Sequence, residues 1–160
     1  MKTIKFKHDS QPAIIQTKQR LLDAMLVRQV PVQMLCGGRG LCATCHVHVV
    51  EGSSQLTPQT DREKLTLAVL TGAKANSRLA CQAQVLGEGI HVELPKGLYV
   101  ESFAQLEQLI GKRAQQPVLH PLDARVLIQE GKIITRSVVN ELKSVDFDWQ
   151  KINTRSASEI

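Results

Sequence analysis

The sequence predicts an α+β fold, and three observations carry that reading. Short strand-like runs open and close the first hundred positions, two stretches with apolar residues at helical spacing lie between them, and a glycine-rich loop splits the pattern in the middle. Lys2 to Lys7 and Ala13 to Thr17 read as strands of an opening hairpin, joined by the turn-like His8-Asp9-Ser10-Gln11-Pro12. Leu21, Leu22, Met25 and Leu26 then recur at helical spacing until Pro31 interrupts them. Cys36 to Cys45 is the glycine-rich loop, and His46-Val47-His48-Val49-Val50 is a strand leaving it, with both histidines on one side.

A second helix starts at Thr57-Pro58 or at Thr60, where Thr60 and Glu63 form a cap pair; Leu65, Ala68 and Val69 are its expected apolar face and Gly72 its end. Arg78 to Val85 and Ile90 to Leu94 read as strands on either side of Gly87-Glu88-Gly89, and Pro95 closes the unit. The reading places a domain at residues 1–97 and an extension at 98–150. In the extension, Phe103, Leu106, Leu109 and Ile110 mark a helix. Val126-Leu127-Ile128 and Lys132-Ile133-Ile134 suggest a hairpin around Glu130-Gly131, and Val138, Val139, Leu142 and Val145 suggest a closing helix. So few large apolar groups make a marginal independent core, so the extension is expected to pack on the first domain, on a second copy of the chain in a homo-oligomer, or on a partner. Residues 151–160 read as a solvated polar tail.

The chain has 160 residues and a formal charge of +5. Residues 1–97 hold twelve Lys/Arg against seven Asp/Glu, whereas residues 98–160 hold eight of each, so the whole excess lies in the cysteine-bearing part. With one Trp, one Tyr and three Phe, stacking platforms for nucleic acid are scarce, and a nucleic-acid partner is not expected. No apolar run approaches membrane-spanning length and no export signal opens the chain, so the reading is a soluble, cytoplasmic protein without membrane insertion. In that setting, three cysteines within ten positions favour metal binding over disulfides.

Five residues separate Cys36 from Cys42, two separate Cys42 from Cys45, and thirty-five separate Cys45 from Cys81. Zinc sites usually take two closely spaced pairs, and only Cys42 and Cys45 form one. A thiol-redox Cys42-Ala43-Thr44-Cys45 site would leave Cys36 and Cys81 unexplained. One loop supplying three thiolates, with a fourth from afar, suits a two-iron cluster. Gly37, Gly38 and Gly40 let the loop backbone bring amide N–H groups to sulfur, which stabilises an added electron. His46 reads either as a group that couples electron transfer to protonation or as a locally hydrogen-bonded ring. Arg39 and Arg78 read as docking charges or as ordinary solvated residues.

The run Cys36-Gly37-Gly38-Arg39-Gly40-Leu41-Cys42-Ala43-Thr44-Cys45-His46-Val47, with Arg78-Leu79-Ala80-Cys81-Gln82, resembles the adrenodoxin-like branch of the [2Fe-2S] ferredoxins over about residues 1–97. The resemblance implies a β-grasp domain whose Cys36, Cys42, Cys45 and Cys81 hold one [2Fe-2S] cluster, Cys36 and Cys42 on one iron, Cys45 and Cys81 on the other. It implies a non-enzymatic one-electron carrier between a reductase and an acceptor; the chain is too short for added flavin and nicotinamide domains and has no G-x-G-x-x-G fingerprint. The alternative is a redox-sensing regulatory protein that acts through its extension. Carriers of this branch typically present an acidic helix after the cluster, whereas Asp61-Arg62-Glu63-Lys64 is formally neutral. Redox partners with acidic docking faces are therefore expected.

Overall fold

A computed structural model describes residues 1–7, 9–30, 32, 36–99 and 103–143. Alternation of buried and exposed residues builds β1 (Lys2–Phe6) and β2 (Asp9–Ile15), which pair antiparallel from Lys2 opposite Ile15 to Phe6 opposite Asp9. β2 therefore takes in most of the segment expected to be a turn. Pro12 is accommodated because β2 is an edge strand and the register slips between Ile4 and Phe6, so a missing N–H costs little. β3 (His46–Glu51), β4 (Ser77–Leu79) and β5 (Ile90–Glu93) complete a five-stranded sheet in the order β2-β1-β5-β3-β4, with β1 and β5 parallel and the other pairs antiparallel. This is the β-grasp arrangement.

Helix α1 (Leu21–Val27) lays Leu21, Leu22, Ala24 and Met25 into the core with Ile4, Phe6, Val47, Val49, Ile90 and Val92. Leu26, expected on that face, is 44% exposed. Asp23 accepts a hydrogen bond from the Arg20 amide at the start of α1, and Arg28 at its end forms a two-pronged ion pair with Asp9, tying the helix to β2.

Helix α2 (Asp61–Val69) starts from Thr60, whose hydroxyl accepts from the Glu63 amide, and not from Thr57-Pro58. Its expected apolar face points outward: Leu65 is 73% exposed, Val69 is 65% exposed, and Ala68 is exposed too. The buried face carries Glu63 and Thr66 instead, because their polar partners are inside the fold. Glu63 accepts from Arg78 Nε at 2.8 Å, Arg78 Nη2 at 3.1 Å and the Leu79 amide at 2.8 Å, and the Thr66 hydroxyl donates to the Gly40 carbonyl at 2.5 Å.

The strand expected over Arg78 to Val85 stops at Leu79. There the chain turns, with the Ala83 amide donating to the Leu79 carbonyl, and only single bridges follow, Gln84 to Arg20 and Val85 to Leu56. The turn is what aims Cys81 at the loop.

Beyond residue 97, β6 (Leu98–Tyr99) pairs parallel with β7 (Val118–Leu119), and β7 pairs antiparallel with β8 (Val126–Ile128). The expected hairpin of 126–128 with 132–134 does not form. Residues 132–134 bond to 111–114 instead, through Gly111 N–H to Ile134 O, Ile134 N–H to Lys112 O and Ala114 N–H to Lys132 O, which sends Ile134 inward. Helix α3 (Phe103–Gln108) and helix α4 (Arg136–Lys143) close a small second core of Leu106, Ala114, Val118, Ile128, Ile134, Val139 and Leu142. Leu109 and Ile110 pack beside it from the turn after α3. His8, Val145, the Phe103 side chain and the expected tail at 151–160 lie outside the described residues. Tyr99, Leu119 and Ala124 belong to the first core, so the extension packs on the first unit and shares its interior. No helix among the described residues is long and apolar enough to cross a membrane.

Candidate functional site

Three local features bring the four cysteines together. The loop after α1 wraps with positive φ at Gly37, Gly38 and Gly40, a conformation open to glycine at little cost. A Cβ at Gly40 would also press on the Gln82 side chain at 3.0 Å, so a larger residue there would be strained by its φ and would make Gln82 shift. β3 begins directly after Cys45 and pairs with β4, which ends two residues before Cys81. The Glu63 carboxylate, held against Arg78 and the Leu79 amide, fixes the β4 end from the α2 side.

All four thiols are buried, Cys42 completely. Cys42 donates a hydrogen bond to the Cys36 sulfur, and Cys45 donates to that of Cys81. The charge of Cys42 acts on Cys45 and that of Cys36 on Cys81, so the four groups close into a ring of two pairs. Among the described residues, no three His, Cys, Asp or Glu side chains converge on a single metal-ion position. In each pair one thiol is favoured as thiolate. The bond from Cys42 pulls Cys36 down to about 5 and pushes Cys42 up; likewise Cys81 is lowered by Cys45, while Cys45 is raised by Cys81 and then by burial.

Backbone amides are aimed at these sulfurs: Leu41, Arg39 and Gly38 at Cys36, Thr44 at Cys42, Gly40 at Cys81, and Cys81 at Cys45. Side chains add to them. Thr44 Oγ1 lies 3.0 Å from Cys42 Sγ, and the Gln82 amide reaches Cys81 Sγ at 3.5 Å while also donating to the Gly38 carbonyl. Four thiols in two pairs, ringed by N–H donors and apolar walls, have the chemistry that a two-iron, two-sulfide group requires.

The extension contributes directly. The Ala43 amide, inside the cysteine loop, donates to the Pro121 carbonyl at 2.7 Å, and the Thr71 amide after α2 donates to the Asp123 carbonyl at 2.7 Å. Leu122, between these two anchors, packs on Cys36 and Cys42 together with Leu41. The 120–125 turn is held by the His120 ring, which accepts from the Leu122 amide, and by backbone bonds between His120 and Arg125 and between Ala124 and His120. Leu122 thus caps the loop from a segment more than thirty residues past Cys81.

Residues 6–86 match the family model for the 2Fe-2S iron-sulfur cluster binding domain. The chain belongs to the [2Fe-2S] ferredoxin family. A 2Fe-2S ferredoxin of Pseudomonas aeruginosa is 35% identical over 91 residues, covering 56% of this chain and 81% of that protein. Chlorosome protein I of Chlorobaculum tepidum is 38% identical over 98 residues, 60% of this chain and 40% of that longer protein. The crystal structure of the ISC-like [2Fe-2S] ferredoxin from Pseudomonas putida superposes with a TM-score of 0.55 at 26% identity, over 59% of this chain and 93% of that one. This ferredoxin is an electron carrier, and its cofactor, a [2Fe-2S] cluster, supplies a one-electron couple when bound.

Around the ferredoxin site Arg78 departs from the sequence reading, whereas His46 and Arg39 fall within the alternatives it left open. Arg78 is neither a docking charge nor solvated: it is 7% exposed and committed to Glu63. His46 is a buried ring with Nε2 2.8 Å from Ser77 Oγ and an edge contact to His48 at 4.8 Å. Burial, then the charge of His48, lowers it to about 4, so it is neutral at neutral pH. Arg39 is exposed on the loop. Glu63, Thr66 and Leu122 were missed as parts of the site. Only Glu63, a carboxylate fifteen residues before Arg78, left a trace in the sequence.

Proposed function

We propose that Cys36, Cys42, Cys45 and Cys81 are the four ligands of the [2Fe-2S] group, Cys36 and Cys42 on one iron, Cys45 and Cys81 on the other. The observation that carries this reading is the ring of two thiol pairs with backbone amides aimed at every sulfur. Such donors favour the reduced form, in which the sulfurs carry more charge. The chain's own part is to hold the thiolates, exclude water and present a face for exchange; it performs no catalysis of its own and works in the cytoplasm.

The exchange face in this proposal is the outer side of α2 with the cysteine loop. Thr66 and Arg62 both bond to loop carbonyls, at Gly40 and Arg39, so the helix is tied to the loop at two points. Leu65 and Val69 offer exposed apolar contact there, and Arg39, Lys64 and Lys74 are exposed cations in the same region of the chain. A redox partner with an acidic rim around a small apolar centre matches this surface. The test is the second-order rate of electron transfer to the physiological acceptor across a salt series. The rate should fall steeply as ionic strength rises; a flat series, or a rise with salt, contradicts the acidic-partner proposal.

A further inference from the structure

Arg20 stands directly before α1, and the fold presses the start of that helix against the segment around Cys81. The Leu21 amide donates to the Ala83 carbonyl at 2.8 Å and the Leu22 amide to the Ala80 carbonyl at 2.9 Å, so the first two helical residues are fastened on either side of this cysteine. Arg20 itself bridges to Gln84. From there its guanidinium reaches the cysteine loop at Gly38. A Cβ added to Gly38 would meet Arg20 Nη1 at 3.0 Å and Cys81 Cβ at 3.9 Å, so the glycine leaves open the space in which the guanidinium and the Cys81 side chain approach each other. Asp23 holds the arginine from its other end. Arg20 Nη2 donates to Asp23 Oδ1 at 3.2 Å, and the Arg20 amide donates to Oδ2 at 2.9 Å. The cation is thus placed by an ion pair, with Nη1 toward the loop.

We propose that Arg20 tunes the electron carrier: its guanidinium, set over Gly38 by Asp23, raises the reduction potential through its charge beside Cys81. The inference rests on the assignment of Cys81 as a ligand. An added electron increases negative charge on the cluster and its sulfurs, so a nearby cation stabilises the reduced form more than the oxidised form. Asp23 acts with the opposite sign and limits the effect as the arginine's counter-charge. Solvent reaches 41% of the Arg20 side chain, and its screening holds the effect to a few-fold.

The experiment is a redox titration of the full chain loaded with its cluster. Arg20→Gln keeps a polar side chain and removes the charge. Its electron-uptake constant should fall about fivefold, which for a one-electron couple is about 40 mV to lower potential. Arg20→Lys keeps the charge and should keep most of the potential. Asp23→Asn keeps an oxygen to accept from the Arg20 amide and removes the negative charge, so its potential should move the opposite way, upward. Arg20→Gln and Asp23→Asn break the same ion pair at the start of α1, so a role in folding alone would move both potentials in one direction or neither. Each variant predicts its own sign, so the other decides if one fails to load. Arg20→Gln and Asp23→Asn proteins that keep the original potential or shift it in the same direction overturn this inference alone. So does an Arg20→Lys protein with the potential of Arg20→Gln. An unchanged chain that takes up no iron and sulfide overturns the ligand assignment and this inference with it.

Discussion

Replacing Glu63 with glutamine changes one atom and removes one charge at a place where the surroundings leave little freedom. The carboxylate is fully buried, and one of its oxygens accepts from both Arg78 Nε and the Leu79 amide while the other accepts from Arg78 Nη2. In Glu63→Gln the amide oxygen keeps the first two bonds. The new NH2 then faces the guanidinium donor, and Arg78 is left as a buried cation without its counter-charge. Removing one partner of a buried pair typically costs about 3–5 kcal/mol, a large share of the roughly 5–15 kcal/mol that holds a domain folded. The loss falls on the end of β4, two residues from Cys81, so it should show twice. The urea midpoint should drop, and bleaching of the visible absorption at fixed temperature should accelerate. The double variant Glu63→Gln with Arg78→Met should recover most of the loss, because the glutamine still accepts from the Leu79 amide and no cation is stranded. A single variant as stable as the unchanged protein, or a double variant no better than the single, would refute this account of α2.

Two further outcomes follow from the cap that the extension places over the cysteine loop. Leu122→Ala strips half-buried apolar cover from Cys36 and Cys42 at a cost of about 1–2 kcal/mol, and cluster loss to a chelator should quicken several-fold; an unchanged rate would show that Leu122 shields nothing. Acidification should loosen the same cap through His120. Burial holds its folded-state pKa below the ordinary value of 6.5, against the opposing pull of Asp123, so the unfolded chain binds more protons. The contribution of His120 is therefore fully present above pH 6.5 and is lost as pH falls below it. The pH dependence of the urea midpoint between 7.5 and 5.5 should flatten in His120→Gln; identical slopes in the two proteins would remove His120 from the explanation.

The loop and its glycines were legible because the constraint they answer is local: Gly37, Gly38 and Gly40 take positive φ within ten consecutive residues that bury three thiols. The pairing of the first two strands, the core of α1 and β3 were legible for a similar reason, since periodicity and burial agree there, whereas β2 starts at Asp9 inside the expected turn and Leu26 of α1 is exposed. α2 shows where that agreement fails. Leu65, Ala68 and Val69 have helical spacing, yet the helix turns Glu63 and Thr66 inward, because Arg78, the Leu79 amide and the Gly40 carbonyl await them. A partner fifteen or twenty-six residues away outweighs a weak apolar stripe, and spacing within the helix cannot report it. The extension repeats the lesson. Glu130-Gly131 looks like a hairpin turn between two apolar triplets, but 132–134 finds a better partner in 111–114, which carries no strand signature. A cut after residue 97 follows Pro95 and the change in charge, yet Tyr99, Leu119 and Ala124 lie in the core on the other side of it. Leu122 is an ordinary leucine until the fold sets it on two cysteines.

The ligand set is tested most directly by iron and acid-labile sulfide analysis of the purified full chain, with its visible spectrum, beside Cys81→Ser. About two iron and two sulfide per chain are expected, with a coloured protein bleached by one-electron reduction and impaired loading or rapid cluster loss in the variant, although thirty-five residues separate Cys81 from the loop. A colourless, zinc-containing protein from iron-replete cells, or a normal, stable cluster in Cys81→Ser, would contradict this ligand set.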